Sequence, residues 1–291
     1  MVVIATYVFI DLETTGLPEE ENNCTRITEL SLVAIKRNHV LATRPGATPR
    51  VQHKLTLCFN PGRPVAPSCT DVTGLCNFLL EYEPRFNVET FTMINTFLTV
   101  LEKPVCLIAH NGHRFDFPIL KNHLTKHGLS LANDLLCADC LHGFYDVMEG
   151  NMSPNLNIKE NHSSGDDTFD ENDNKLEMFE SETSFMQREN ERTPEKQKFS
   201  LNRNNVKSIS HVRRQLFWNK GPSPKKKYKL SQIYERLFNE PAVGTHHAEN
   251  DCEIALKCFV VLVNDMVKWF DQNACFFSEV RPMTAGVPLG R

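Results

Sequence analysis

The sequence predicts an α/β fold in which a mixed five-stranded sheet carries helices on both faces. Short β-branched runs dominate the first part of the chain, helical periodicity alternates with similar runs further on, and 41% of the 291 residues are hydrophobic. Three strands in succession followed by such alternation are typical of a mixed sheet covered on both sides. A chain of this length and apolar content can fill a sizeable core.

Five short apolar segments are predicted to be the strands of that sheet. They are Val2–Ile10, Ile27–Lys36, His53–Phe59, Val105–Ala109 and Leu135–Ala138. Four further segments have apolar residues at helical spacing. They are Thr90–Leu101, Pro118–His127, Leu230–Phe238 and roughly Ala248–Phe270. In the first of these helices Phe91, Ile94 and Leu98 share one face, and Gly128 supplies the stop after the second.

Residues 149 to 224 lose this patterning and are predicted to be a low-complexity, disordered insertion into one domain formed by residues 1 to 148 and 225 to 291. From Glu149 to Phe199 there are 13 acidic and six basic residues, whereas Ser200–Lys229 contains nine basic residues and no acidic one. The acidic part has too little apolar surface to offset the entropy of ordering it. A short helix around Val212–Trp218 is the expected exception.

The totals exclude several classes of protein. A net charge of −4 and a pI near 6.3 give no global basic signature, so any contact with nucleic acid must come from a local patch. The first residues lack the basic start of a signal peptide, and no run of about 18 apolar residues occurs. We therefore expect a cytoplasmic or nuclear protein without a membrane partner, whose ten cysteines are free thiols, mostly in the core.

Two carboxylates, Asp11 and Glu13, follow the first apolar run. A spacing of two on a strand places both side chains on the same face, where their mutual repulsion has to be offset. A divalent cation with oxygen ligands is the most economical partner for such a pair. An exposed strand end without a ligand is the alternative, but Gly16 in the following turn would let the backbone approach a ligand closely.

A second cluster, HNGHRFDFPIL at His110–Leu120, follows the fourth predicted strand and opens a helix. It places Asp116 near the helix N-terminus, where the helix dipole favours an anion. Asp116 is therefore a candidate metal ligand, and a plain capping role for it is the structural alternative.

The third cluster, THHAENDCEIAL, places Asp251 in the first turns of the last helical segment, after two histidines. His247 and Asp251 are four residues apart and would share one helical face, as in many metal sites. His246 is five residues away and reaches the same site only from the flanking loop. Periodicity by itself favours His247 and leaves both histidines open.

In this order, the segments DLETTGL, HNGHRFDFPIL and H-x4-D resemble the three motifs of the DEDDh exonuclease superfamily. The similarity extends to the three-prime repair exonuclease (TREX) family through Arg50–Leu75, Lys227–Phe238 and Val280–Met283. The resemblance implies an RNase H-like fold, a homodimer, and degradation of DNA from single-stranded and double-stranded 3′ ends to mononucleotides. The alternation of Leu55 and Leu57 with polar neighbours leaves the strand from His53 suited to be the dimer edge.

The family pattern implies a role for each motif residue. It assigns the general base to His246, and it assigns two Mg²⁺ ions, which Mn²⁺ can replace, to Asp11, Glu13, Asp116 and Asp251. Two cations can stabilise both the attacking water and the leaving 3′ oxygen of a phosphodiester. A histidine can take the proton of that water near neutral pH.

Five further positions are implied to bind substrate: Thr14 through its backbone, Leu17 and Val72 by packing on the terminal bases, Arg114 on a phosphate, and Phe115 by stacking. The family usually has alanine at Thr14 and tyrosine at Phe115, and neither position is a metal ligand. Ordinary core packing is the structural alternative for Leu17 and Val72.

Two other functions are alternatives to that of a TREX-like DNA exonuclease. An RNA-trimming or proofreading exonuclease of the same superfamily would have an identical metal site, but the TREX-like flanks argue against it. A catalytically silent nucleic-acid-binding scaffold should have lost some of the five catalytic residues.

The run Lys225–Lys227 either contacts phosphates or forms a nuclear import signal. The basic segment Ser200–Lys229 is expected to contact DNA in competition with its acidic neighbour. The single C-x2-C in Cys137–His142 lacks a second ligand pair, which favours core cysteines over zinc.

Overall fold

The computed structural model describes residues 2–150, 206–207 and 228–287. Six strands form one mixed sheet in the order β3-β2-β1-β4-β5-β6. They are β1 Thr6–Thr14, β2 Ile27–Lys36, β3 His53–Cys58, β4 Val105–Ala109, β5 Leu136–Asp139 and β6 Cys275–Phe276. The β1–β4 and β4–β5 pairs are parallel, and the remaining pairs are antiparallel. The predicted fold class is confirmed, with one strand more than the five expected.

Eight α-helices accompany the sheet in the described ranges. They are α1 Arg37–Leu41, α2 Pro67–Thr73, α3 Val88–Thr99, α4 Asp116–Lys126, α5 Cys140–Met148, α6 Leu230–Phe238, α7 Ala248–Val261 and α8 Val263–Asn273. Helices α1 and α2 are missing from the sequence prediction because five and seven residues offer too few turns for a periodic pattern. Helix α5 was not predicted either; it follows β5 directly and contains Gly143, which weakens a helical pattern. The long helix predicted over Ala248–Phe270 is instead two helices that meet at Leu262, and apolar residues at helical spacing on both sides conceal the break.

Strands β3 and β5 differ from the prediction by one residue at their ends, whereas β1 begins at Thr6 and not at Val2, and β6 was not predicted. The first strand was expected to end at Ile10, but β1 continues through the two carboxylates, because backbone pairing with β2 does not depend on side-chain polarity. The register of this pair shifts in a bulge between Glu13 and Thr14. Strand β6 was missed because two residues are too short to show an alternating pattern.

The alternating side chains of β1 enter two separate cores. Tyr7 and Phe9 pack with residues of α5, α7 and α8 on one face of the sheet. Val8, Ile10 and Leu12 pack with residues of α3 and α4 on the other face. Helices therefore cover both faces, as predicted, and β1 is fixed from both sides before it delivers its carboxylates.

The remaining global expectations have mixed outcomes. All ten cysteines are free thiols and six of them are buried, which confirms their predicted role as core residues. Among the described residues, no helix combines the length and apolar character that a membrane crossing requires. The helix expected at Val212–Trp218 and the run Lys225–Lys227 lie outside the described residues, and the domain boundaries stay a prediction.

Candidate active site

The two carboxylates of β1 project toward helix α7. Between them, Leu12 points into the opposite core, so Asp11 and Glu13 share one face as their spacing predicts. Glu13 is buried at 9% exposure, and Asp11 is partly buried. On this face the Cys252 thiol of α7 donates to the carbonyl of Ser31 on β2 at 3.7 Å. Helix α7 is therefore packed directly against the strands that carry the carboxylates.

Asp116 is the first residue of α4, which follows the loop after the carboxyl end of β4. It is only 2% exposed, and its Oδ1 has no hydrogen-bond partner among the described residues. The N-cap position is held by Phe115, so the structural alternative of a plain N-cap aspartate does not describe Asp116. A buried carboxylate oxygen without a donor is costly unless a cation or a proton satisfies it.

The third part of the site is the loop that enters α7. The Nε2 or Nδ1 of His246 and carboxylate oxygens of Glu13 and Asp251 lie within 4.8 Å of one another. The His246 backbone N–H also donates to Oδ2 of Asp251 at 2.8 Å. His246 is exposed and its φ is +67°, a conformation that non-glycine residues adopt rarely and often at functional sites.

His247, the alternative histidine, occupies a different position. It is the N-cap residue of α7, in extended backbone, and its side chain makes no capping hydrogen bond. The group of ligand atoms at Glu13 and Asp251 includes His246 and not His247 among the described residues. His247 still lies one turn before Asp251, whose N–H donates to the His247 carbonyl at 2.9 Å, so the structure brings His246 into the group of ligand atoms and leaves the choice of base to experiment.

Mutual repulsion and burial shift the acidity of the whole cluster. Burial, followed by the charges of Asp116 and Asp251, raises the pKa of Asp11 well above its ordinary value. Burial and the charge of Asp251 raise the pKa of Glu13 to about 8. Burial also raises the pKa of Asp116 and, less strongly, that of Asp251, which the nearby histidines and the His246 N–H partly offset. Such a cluster fits a cation, which would stabilise the ionised carboxylates that burial disfavours.

Two acidic residues that the sequence analysis did not single out organise this site. Glu29 of β2 lies directly opposite Glu13 in the strand register, and its Oε2 accepts a hydrogen bond from the N–H of Ala248 at 2.9 Å. Asp139, at the end of β5, accepts from the N–H of Asn111 at 2.9 Å and from that of His113 at 3.2 Å. Asp139 thus fixes the loop before Asp116. In each case an acid inside or at the end of an apolar strand was the available signal.

The five residues expected to bind substrate differ in their exposure. Leu17 is 49% exposed and Val72, on α2, is 51% exposed, so core packing does not account for either side chain. Arg114 is exposed, whereas Phe115 is partly buried against the α3 and α4 core. Thr14 is buried and donates its hydroxyl to the carbonyl of Gly16 at 3.1 Å.

The loop after β1 is tied to the segment that begins α2. The N–H of Ala66 donates to the carbonyl of Thr15 at 2.7 Å, and the Thr15 hydroxyl donates to Glu21 at 2.7 Å. A Cβ at Gly16 would come within 2.8 Å of the Glu21 carboxyl carbon, so any larger residue would have to displace the Glu21 side chain that the Thr15 hydroxyl holds. These bonds hold Leu17 and the start of α2 in one fixed unit beside the carboxylates.

Fold and site together define a nuclease of the exonuclease class with an RNase H-like fold. Residues 8–169, more than half of the chain, match the family described as Exonuclease (RNase T), and the protein belongs to that family. Its family and its buried carboxylate cluster agree with the hydrolysis of phosphodiester bonds.

Proteins of similar sequence include several three-prime repair exonucleases. The chain is 28% identical to three-prime repair exonuclease 1 of Bos taurus, over 99% of this chain and 78% of that protein. It is 27% identical to three prime repair exonuclease 2 of Mus musculus, over 96% and 92%, and 39% identical to that of Homo sapiens, over 47% and 59%. The expected resemblance to the TREX family is confirmed.

Solved structures agree on the fold. Escherichia coli exonuclease I in complex with a dT13 oligonucleotide matches 92% of this chain with a TM-score of 0.51 and 14% identity. A second structure of the same enzyme, with bound dA16, gives a TM-score of 0.51 at 11% identity. The present chain spans less than half the length of these exonuclease I chains, 43% in both cases. The match supports the fold alone.

Proposed function

We propose that this protein is a metal-dependent 3′ to 5′ DNA exonuclease that releases mononucleotides. The observation that carries the proposal is the convergence of three distant segments on one site. Asp11 and Glu13 come from β1, Asp116 from α4, and His246 and Asp251 from the loop and first turn of α7. The names of its relatives, three-prime repair exonucleases, support the direction of attack. The oligonucleotides bound to exonuclease I support DNA as the polymer.

The four carboxylates are the residues that would hold two Mg²⁺ ions, with Mn²⁺ as a substitute. Their raised pKa values and the unpartnered Oδ1 of Asp116 support this assignment, because hard divalent cations prefer carboxylate oxygens and stabilise the ionised form. When bound, the ions would supply positive charge against the negative charge that develops on the phosphodiester and its leaving oxygen.

The protein groups perform the remaining steps. The imidazole of His246 accepts the proton of the attacking water, and its exposed position beside Glu13 and Asp251 gives solvent a direct path to it. The bond from the His246 backbone N–H to Oδ2 of Asp251 ties the backbone of this residue to the carboxylate cluster. Leu17 and Val72 pack on the terminal bases without reading their sequence, and Arg114 contacts a backbone phosphate.

A labelled-end assay tests the activity. Single-stranded and duplex DNA carrying a label at the 3′ or the 5′ end, and RNA of the same sequence, are incubated with the protein in Mg²⁺ or in a chelator. We expect the 3′ label to be released at once as a mononucleotide and the 5′-labelled strand to shorten stepwise, in Mg²⁺ only. Release of the 5′ label first, or internal fragments, would refute the proposal. Preferential digestion of RNA would instead favour the RNA-trimming alternative.

We also infer that two copies pair through β3. This strand lies at the edge of the sheet, and its Leu55 and Leu57 pack inward while His53, Lys54 and Thr56 are exposed. An edge of this kind presents backbone donors and acceptors that a second copy can complete across a two-fold axis. Light scattering at micromolar concentration should give the mass of a dimer, and a monomer mass at every concentration would overturn this inference.

A further inference from the structure

The N-terminus of helix α7 is not capped by the side chain of its own N-cap residue. Its N-cap residue, His247, makes no side-chain capping bond, although the first N–H groups of a helix have no partners within the helix. The N–H of Ala248 is instead satisfied by Oε2 of Glu29, which reaches across from β2 at 2.9 Å. The cap therefore comes from a residue 219 positions away in the chain.

The position of Glu29 ties this cap to the carboxylate cluster. Glu29 is the cross-strand partner of Glu13, so one backbone pair of the β1–β2 ladder carries both a site carboxylate and the anchor of α7. Ala248 directly follows the two histidines and lies three residues before Asp251. The bond thus fixes the junction between the loop of His246 and the helix of Asp251 against the strand of Glu13.

The arrangement carries an electrostatic cost, which indicates that the contact is more than incidental. The Glu29 carboxylate is one of the charges that raise the pKa values of Asp11, Glu13 and Asp251. A neutral residue here would relieve that repulsion, but a residue without an acceptor would leave the N–H of Ala248 unpaired. The favourable interaction of a carboxylate with a helix N-terminus offsets part of the repulsion.

A second strand holds the same turn of α7 from the side. On β3, the Lys54 Nζ donates to Oε1 of Glu249 at 2.9 Å, and the Thr56 hydroxyl donates to Oε2 of the same carboxylate at 3.0 Å. These groups are exposed, and pairs of this kind contribute little on their own. The bond from Ala248 to Glu29 is thus the stronger of the two attachments, because it satisfies a backbone group that has no other partner.

We propose that Glu29 is a positioning residue that sets the placement of His246 and Asp251 relative to Glu13 by accepting the N–H of Ala248. The inference rests on the proposed exonuclease function. It assigns no contact with substrate or metal to Glu29, and it requires the acceptor oxygen of the side chain rather than its charge. The amide oxygen of a glutamine at position 29 can accept the same hydrogen bond, so glutamine should serve almost as well.

The test compares Glu29→Ala with Glu29→Gln, and uses Glu89→Ala as the matched control, because Glu89 is an exposed acid in the first turn of another helix. Glu29→Ala should lower kcat by about 10- to 100-fold with little change in KM, the usual cost of losing a group that orients a catalytic shell. Glu29→Gln should stay within about fivefold of the wild type because its amide oxygen keeps the hydrogen bond. The control should be fully active.

Hydrogen exchange of the segment around residues 246–251 supplies a readout independent of activity. It should accelerate in Glu29→Ala, while Glu29→Gln and the control keep wild-type protection and all three melt near the wild-type temperature. Equal losses in Glu29→Gln and Glu29→Ala would overturn the proposal and point to a charge or metal-ligand role, and full activity in Glu29→Ala would overturn it as well. A wild-type protein without nuclease activity would refute the proposed function, whereas unchanged exchange in Glu29→Ala would refute the anchor itself.

Discussion

The candidate site has two halves that are built in different ways. Asp11 and Glu13 come from β1, whose side chains enter both cores, and Asp116 comes from the start of α4. Glu13 and Asp116 are at most 9% exposed. His246 lies in an exposed loop whose backbone has positive φ at Asn239, Gly244 and His246 itself. The difference in exposure matches the different roles proposed for the two halves. The residues proposed to bind cations are held by the core, and the residue proposed to accept a proton lies outside it.

The largest expected effect comes from the buried half. Asp11→Asn should lower the rate of mononucleotide release by at least about 10³-fold, because ligands of catalytic cations contribute several kcal/mol to the stabilisation of the transition state. DNA binding should largely survive, since Asp11 is not among the residues proposed to contact the bases. Single-turnover digestion of 5′-labelled DNA measures the effect, with the exposed Asp265→Asn as the control. Substantial turnover in Asp11→Asn would remove the two-metal assignment.

The exposed half should behave differently in kind. His246→Ala is expected to lower kcat by about 10² to 10⁴-fold without weakening metal binding, the usual range for loss of a general base. His247→Ala should be mild, since His247 lies outside the group formed by Glu13, His246 and Asp251. Kinetics across a Mn²⁺ titration compares the two variants. A crippled His247→Ala that recovers at high Mn²⁺, beside an active His246→Ala, would reverse the assignment.

The buried half also predicts a dependence of stability on pH. In the metal-free protein Glu13 has a pKa of about 8 against an ordinary value of 4.5, so the folded state binds its proton between these pH values and the unfolded state does not. The free energy of unfolding should therefore fall as pH rises from about 4.5 to 8. Added Mg²⁺ should raise the Tm by several degrees more at pH 8 than at pH 5.

Glu13→Gln separates this effect from general pH dependence. The variant should have a flatter dependence of Tm on pH in chelator than the wild type, because it lacks the carboxyl group whose pKa burial raises. Identical slopes in Glu13→Gln and the wild type would contradict the link between the buried carboxylate and stability.

The smallest effects are expected at the surface that surrounds both halves. Leu17→Ala and Val72→Ala should each raise KM for single-stranded DNA by about 3- to 10-fold and leave kcat nearly unchanged, because apolar packing on a base is a modest contribution to binding. Val88→Ala is the matched control, since Val88 and Val72 are equally exposed, at 51%. Equal KM values for Val72→Ala and Val88→Ala would remove Val72 from the substrate site.

Much of this arrangement could be predicted from the sequence, because the decisive features are local. β2 and β4 were predicted with their observed bounds, since apolar and β-branched residues dominate both segments. The pairing of Asp11 with Glu13 follows from strand geometry. What could not be predicted depends on tertiary contacts. Periodicity could not place His246 beside Glu13 and Asp251, because spacing within a helix says nothing about the loop that precedes it.

Glu29 and Asp139 show the same limit from another side. Each forms hydrogen bonds with backbone groups that are distant in sequence, to Ala248 in one case and to Asn111 in the other. Neither belongs to a motif, and a single acid in a strand is compatible with many roles. Only the three-dimensional pairing of strands and loops identifies these residues as anchors.

The bulge after Glu13 has a consequence for how the first motif can change in length. Up to that point β1 is in continuous register with β2, and odd and even positions belong to opposite cores. Inserting or deleting one residue before the bulge would exchange the two sides, turning Leu12 toward α7 and a carboxylate into the apolar core. The spacing between core and cluster is therefore constrained by parity: this strand tolerates a shift of two residues far better than a shift of one.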